Sequence, residues 1–388
     1  MRIGRWNLAA TVLVIVPIMA IVGPTTAWSG CRGVAPRQTA DYATRGPHAV
    51  GVRTLQLVDA TRPTPPNGTF AGAASRTLDI EVWYPASTAA GPTVVRDAPL
   101  DATRGPYPLI LHGHALQDSR LGEAYLMEHL ASRGYIVAAV DFPLGKLGAP
   151  GGATAADIGN QPGDLRAVLD HLLDGNRGFA GAVDAKRIGA SGLSLGGGTV
   201  LLLTYHRTLR DRRIRAVLPI APAFACAFTR GFYRPAQVPL LVLQGDADGL
   251  APLDDNGRRV ARRATGPRTL AVLRGASHLG FTGFASALGT PANIDQVGCA
   301  ALLASIGSGS FFPDLPGGRR AGIDGAACSV PCQTTPTASL AFDRQHELTQ
   351  TVAAAFFDAY LAGDRSARCW IARNLAAENP DVEVESRR

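Results

Sequence analysis

Two early segments, Val52–Val58 and Leu78–Trp83, alternate apolar with polar positions or are rich in β-branched residues, and both predict strands. The turn-rich stretch Arg62–Gly68 between them predicts an antiparallel start to a sheet. From residue 107 the pattern changes. Tyr107–Leu111 is a short, continuous apolar run, as in a strand buried on both faces. A helical pattern over 121–133 is stopped by Gly134, and strand Tyr135–Val140 follows. A Gly/Pro/Ala-rich loop, 143–163, leads into helix Asp164–Leu173, with Asp164 placed to cap or charge its N-terminus. The alternation continues with strand Arg187–Ala190, helix Gly197–Tyr205, strands Ala216–Ile220 and Val238–Gln244, helix Asp255–Ala264 and strand Thr269–Leu273. A last helix, 347–361, carries Val352, Phe356, Tyr360 and Leu361 at helical spacing. Strands alternating with helices predict an α/β fold, a mostly parallel sheet with antiparallel N-terminal strands and helices on both faces. Such sheets bind ligands at the carboxyl ends of their strands. The Gly-, Ser-, Thr- and Pro-rich segment 282–339 reads as a Cys-containing insertion before the last helix.

The N-terminus predicts export. Arg2 and Arg5 precede an apolar run from Leu8 to Val22, short for a membrane span and closed by Pro24, with Thr25-Thr26-Ala27 as a cleavage site. The expected organisation is a signal peptide over 1–27, a tether over 28–46, one catalytic domain over 47–365 with its insertion at about 282–339, and a C-terminal tail over 366–388. A second reading makes Trp28-Ser29-Gly30-Cys31 a lipobox, with Cys31 lipidated and the protein held at the membrane. Either way the compartment is secreted, periplasmic or cell envelope, where disulfides persist. Cys31, Cys226, Cys299, Cys328, Cys332 and Cys369 are six, enough for three bridges.

Composition sharpens this only by exclusion. With 46% hydrophobic and 18% charged residues over 388 positions, the chain is neither disordered nor fibrous. The net charge of +7 comes from scattered arginines, densest at Arg210–Arg215, with only 6% aromatic residues. No basic stripe interleaved with aromatics argues for nucleic acid.

The chemistry is concentrated after the strands. Gly192-x-Ser194-x-Gly196 joins a strand to a helix, the setting of a nucleophile elbow. The glycines allow strand and helix to approach while the serine is held on a strained turn. Ser191 sits in a frame lacking the final glycine. A serine hydroxyl needs a base, and the base an orienting acid. After Ser194 the histidines are His206, His278 and His346. Only His278 lies in a small-residue loop directly beyond a strand. The acid is expected on the loop after Val238–Gln244, where Asp248 is preferred to Asp246, which is close enough to the strand to cap the turn. Two backbone N–H groups, of Leu195 and His114, are expected to form the oxyanion hole. His112 and His114 lack the carboxylate or cysteine companions of a metal site, and no phosphate-binding glycine motif is present. Neither cofactor nor metal is expected.

On these segments the chain resembles the α/β-hydrolase superfamily. Within it, the sequence is similar to an exported bacterial group related to platelet-activating-factor acetylhydrolase and to predicted dienelactone hydrolases. Asp79–Pro85 resembles that group's opening strand, although the dienelactone hydrolases proper use cysteine where this chain has Ser194. The resemblance covers about 47–365. It implies hydrolysis of short-chain or lipid-like carboxylic esters through an acyl-enzyme, with Ser194, His278 and Asp248 as triad. A polyester or cutinase-like hydrolase, or an amidase, would use the same triad, and a non-catalytic binding protein the same fold. The pocket walls are expected from 143–163, 224–233 and 282–339. Phe142, Phe224, Phe228, Phe281 and Phe284 are candidates either for an apolar acyl site or for the core.

Overall fold

The computed structural model describes residues 31–175, 178–289, 292–306, 312–313 and 315–387. The expected signal peptide lies outside the described residues.

Ten strands form one sheet: β1 (Ala49–Asp59), β2 (Arg76–Ala86), β3 (Val94–Arg96), β4 (Tyr107–Gly113), β5 (Ile136–Val140), β6 (Val183–Leu193), β7 (Ile214–Ile220), β8 (Leu240–Gly245), β9 (Arg268–Leu273) and β10 (Val382–Arg387). Their spatial order is β10-β9-β8-β7-β6-β4-β5-β2-β1-β3. The inner strands β5 to β9 and β4 run parallel. β1 pairs antiparallel with β2, as the early alternating segments predict, and β2 pairs antiparallel with β5. The short β3 was not foreseen.

The helices are α1 (Thr39–Ala43), α2 (Ala124–Ser132), α3 (Gln161–Leu173), α4 (Leu195–Tyr205), α5 (Arg230–Tyr233), α6 (Gly257–Arg263), α7 (Asp295–Ile306), α8 (Phe342–Tyr360), α9 (Arg365–Arg373) and α10 (Leu375–Glu378). They cover both faces. Leu165 and Val168 of α3, Leu202 of α4 and Val260 of α6 share one core with Leu109, Leu111 and Val242 of the sheet. Leu126 of α2, Val352 and Phe356 of α8 and Trp370 of α9 share the other with Ile110, Leu218 and Leu243. Alternate residues of one strand thus feed opposite cores, as the two-residue side-chain period requires. Every residue of α4 is buried, so its sequence carries no polar stripe.

Both ends of the domain differ from expectation. The tether contains α1, where Tyr42 packs 4.7 Å from Trp370, and Cys31 is bonded to Cys369. The thiol that a lipid anchor would use is therefore occupied in this structure. The expected tail over 366–388 is built into the fold as α9, α10 and β10. Val382 and Val384 alternate with Glu383 and Glu385 and pair antiparallel with β9, extending the sheet at the edge beyond β9. A six-residue strand with half its positions charged is weak as an isolated pattern; its pairing with β9 supplies the rest.

The other two disulfides, Cys226–Cys328 and Cys299–Cys332, fasten the insertion, and none of the six cysteines is free. The insertion also holds α7, which its Gly- and Ser-rich composition hides. Among the described residues no helix is long and apolar enough to cross a membrane.

Candidate functional site

Ser194 lies between β6 and α4 with φ 54° and ψ −113°, a conformation non-glycine residues seldom adopt. The strain is held by backbone bonds on both sides. Ser194 N–H donates to the Ile220 carbonyl at 2.9 Å, and the Ser194 carbonyl accepts from Gly198 at 3.0 Å and Ala223 at 2.9 Å. The elbow glycines are required sterically: a Cβ on Gly192 would overlap the Gly196 carbonyl, and one on Gly196 the Gly113 carbonyl.

Asp248 and His278 follow β8 and β9, neighbours in the sheet. Asp248 Oδ2 lies 2.8 Å from His278 Nδ1. Its Oδ1 accepts from the Leu250 and Ala251 amides at 3.0 and 2.6 Å. With Nδ1 engaged, Nε2 is the imidazole nitrogen left for the cavity that both His278 and Ser194 line. His278 is 2% exposed, and burial by itself depresses its pKa. The charge and hydrogen bond of Asp248, with the charge of Asp295, outweigh burial and hold it above its ordinary value.

The remaining candidates separate cleanly. Asp246 Oδ1 accepts from Gly275 N–H at 2.6 Å and closes the turn, away from the imidazole. His206 caps α4 and bonds the Pro316 carbonyl, and His346 bonds the Thr282 carbonyl. Ser191 is fully buried, with its hydroxyl 2.8 Å from His112 Nδ1. His112 Nε2 lies 2.9 Å from Glu123 Oε2. The His114 ring donates to the Ala115 carbonyl through Nδ1 and accepts Phe142 N–H at Nε2, 3.0 Å away. Both imidazoles are thus spent on the protein itself. Among the described residues no group of three or more His, Cys, Asp or Glu side chains is arranged to hold a metal ion. Leu195 is in the first turn of α4 and lines the cavity; beyond β4 the lining residues are Ala115, Leu116 and Gln117.

The cavity, about 240 Å³, is apolar. Phe224 and Phe284 line it, whereas Phe142, Phe228 and Phe281 are core. Segment 143–163, expected as a wall, contributes none of its residues; its place is taken by Ala115–Gln117. The insertion supplies Thr282, Phe284, Leu288 and one side of α7, including Val297 and Leu302. Sequence reasoning missed Asp295, whose buried carboxylate accepts from Gly249, His278 and Leu279 N–H at 2.9, 2.9 and 2.8 Å. No motif or spacing connects residue 295 with residues 249 and 278.

The strand order, the elbow after β6 and the Asp–His pair after β8 and β9 are those of the α/β-hydrolase fold. A family model described as PET hydrolase-like matches residues 99–290. Cutinase est1 of Thermobifida alba is 28% identical over 134 residues, 34% of this chain and 40% of that protein. Bis(hydroxyethyl) terephthalate hydrolase of Streptomyces coelicolor is 27% identical over 223 residues, 57% of each chain. The matches therefore span from two fifths to just over half the length of these relatives. A solved ferulic acid esterase from Streptomyces cinnamoneus is 25% identical with a TM-score of 0.59, covering 91% of this chain and all of that one.

Proposed function

We propose that this protein is a serine hydrolase of carboxylic esters that acts through an acyl-enzyme. The observation that carries the reading is that Ser194 and His278 line one apolar cavity, with Asp248 on the far nitrogen of the imidazole. Ser194 Oγ attacks the ester carbonyl carbon while His278 Nε2 takes the hydroxyl proton. The imidazolium, stabilised by Asp248, returns that proton to the departing alcohol. Water then attacks the acyl-enzyme with His278 again as base, releasing the acid and free Ser194. The backbone N–H of Leu195 holds the oxyanion, with the start of α4 adding a favourable dipole, and a second N–H from the loop after β4 completes the hole. The protein works outside the cytoplasm, a reading supported by three disulfides that use all six cysteines.

A second reading extends the substrate to polyesters. It rests on the PET hydrolase-like match, on the cutinase and terephthalate-ester hydrolase relatives, and on exposed apolar side chains near the cavity, Phe284 and Val297. The test of the main reading is Ser194→Ala. It is expected to abolish hydrolysis of p-nitrophenyl butyrate and labelling by a fluorophosphonate probe while the fold, read by circular dichroism, is kept. Residual wild-type turnover in that variant overturns the reading, and a polyester film beside the soluble ester separates the two substrate classes.

A further inference from the structure

We propose that Asp295 is a positioning residue that locks the loop carrying Asp248 to the loop carrying His278; the inference rests on the ester-hydrolase reading above. Asp295 is fully buried, and its two oxygens accept three backbone N–H groups that stand 46, 17 and 16 residues away in sequence. One belongs to Gly249, directly after Asp248. The other two belong to His278 itself and to Leu279. A single carboxylate therefore fixes the backbone on both sides of the 2.8 Å contact between Asp248 and His278. Charge-assisted bonds of this kind are roughly twice as strong as neutral ones and set geometry tightly.

The anchor is itself held. Asn293 Oδ1 accepts Asp295 N–H at 2.9 Å, and the Asn293 amide donates to the Ala247 and Pro336 carbonyls. Cys332, bonded to Cys299 of α7, donates its N–H to the Gly249 carbonyl at 2.9 Å. Gly249 is thus gripped from both its N–H and its carbonyl by one disulfide-fastened segment. The same helix lines the cavity through Val297, Gly298, Ala301 and Leu302. The insertion joins a substrate wall to the positioning of the acid and the base. Misplacing a reacting group by about 1 Å costs on the order of 10²-fold in rate.

The titratable groups acting on His278 are Asp248 from the loop after β8 and Asp295 from α7. Removing the Asp295 charge takes away one of the influences that favour protonated His278. Asp295→Asn is therefore expected to lower kcat on p-nitrophenyl butyrate by about 10²-fold, to leave KM little changed, and to move the acidic limb of the rate profile to lower pH. Asp295→Glu keeps the charge and displaces it, so kcat falls while the limb stays near the wild-type position. If the Asn variant does not fold, the Glu variant carries the test alone. Wild-type kcat with a wild-type limb in a folded Asp295→Asn, or wild-type kcat in Asp295→Glu when the Asn variant does not fold, overturns the inference. Ser194→Ala, run beside them, separates the two failures. If it is active, the ester-hydrolase reading and this inference fall together. If it is inactive beside a wild-type Asp295→Asn, only this inference falls.

Discussion

Asp248 Oδ2 lies 2.8 Å from His278 Nδ1, whereas Asp246, two residues earlier, gives its Oδ1 to Gly275 N–H at 2.6 Å. One strand end thus carries an orienting acid and a turn-closing acid. Asp248→Asn is expected to cut kcat/KM by about 10⁴-fold by favouring the wrong imidazole tautomer. Because the Asp248 charge helps raise His278, its loss lets burial dominate and moves the acidic limb of the rate profile to lower pH. Asp246→Asn should lower stability by about 1 kcal/mol and leave kcat/KM within a small factor of wild type. Rate profiles of both variants across pH check the pair, and equal losses would contradict the division of roles.

The elbow is packed backbone to backbone, which makes its glycines unforgiving. A Cβ on Gly196 would run into the Gly113 carbonyl, and one on Gly192 into the Gly196 carbonyl, with no flexible side chain to yield. Gly196→Ala and Gly192→Ala are each expected to abolish activity and to lower the thermal midpoint, because either β4 or α4 must shift. Gly148→Ala is the contrasting control, since a Cβ there meets nothing within 4 Å; its φ of +72° gives it a backbone cost alone. A wild-type rate in Gly196→Ala would mean that the strand and helix can separate.

The placement of Ser194, Asp248 and His278 on the segments after β6, β8 and β9 is legible in the sequence, because short runs of glycines and aspartates follow each strand there. Asp295 was not, because its partners are backbone N–H groups made available only when the β8 and β9 loops lie side by side. Nothing in an alternating pattern marks a residue that bonds other segments' amides. β10 was missed for a related reason: Glu383 and Glu385 make it too polar to stand out until β9 offers an edge. Arg76 escaped as well, an arginine at the start of a strand that also carries Asp79 and Glu81 and so looks like one more polar position.

That arginine is fully buried, with Asp157 at 2.7 Å and Asp164 at 2.6 Å. Burial raises the Asp164 carboxyl overall, even though Arg76 and Arg62 pull it down. Asp164, expected to cap or charge the N-terminus of its helix, stands in the first turn of α3 and gives its carboxylate to ion pairs that tie α3 to β2. Arg76→Met would leave both carboxylates without their main partner and should cost about 3–5 kcal/mol, the penalty of an uncompensated buried charge. Adding Asp157→Asn and Asp164→Asn should return part of that loss. Urea unfolding of the single and triple variants measures both steps, and a triple variant no better than the single would argue against charge as the cause.

Beneath the site, His112, Glu123 and Asp118 form a buried group whose protonation is biased by burial. Burial pushes the Glu123 carboxyl up to about 8, against a lowering hydrogen bond with Asp118. It pushes Asp118 up to about 8 as well, helped by the Glu123 charge. Burial likewise depresses His112 to about 4. Burial thus disfavours the charged form of both partners in the 2.9 Å contact of His112 with Glu123. The signs follow. Carboxyls raised on folding hold protons that the unfolded chain releases near its ordinary carboxyl pKa, so their contribution is complete below that point and is lost as pH climbs through about 8. His112, depressed on folding, contributes above its unfolded value of about 6.5 and loses that contribution as pH falls through about 4. Glu123→Gln removes one raised acid and relieves the other of its charged neighbour. The thermal midpoint of this variant should therefore decline less steeply than that of the wild type as pH rises from about 5 to about 9, the span that brackets the shifted carboxyls. Parallel curves for the two proteins over that span would show that Glu123 is ionised in the fold, and that the His112 contact is an ion pair after all.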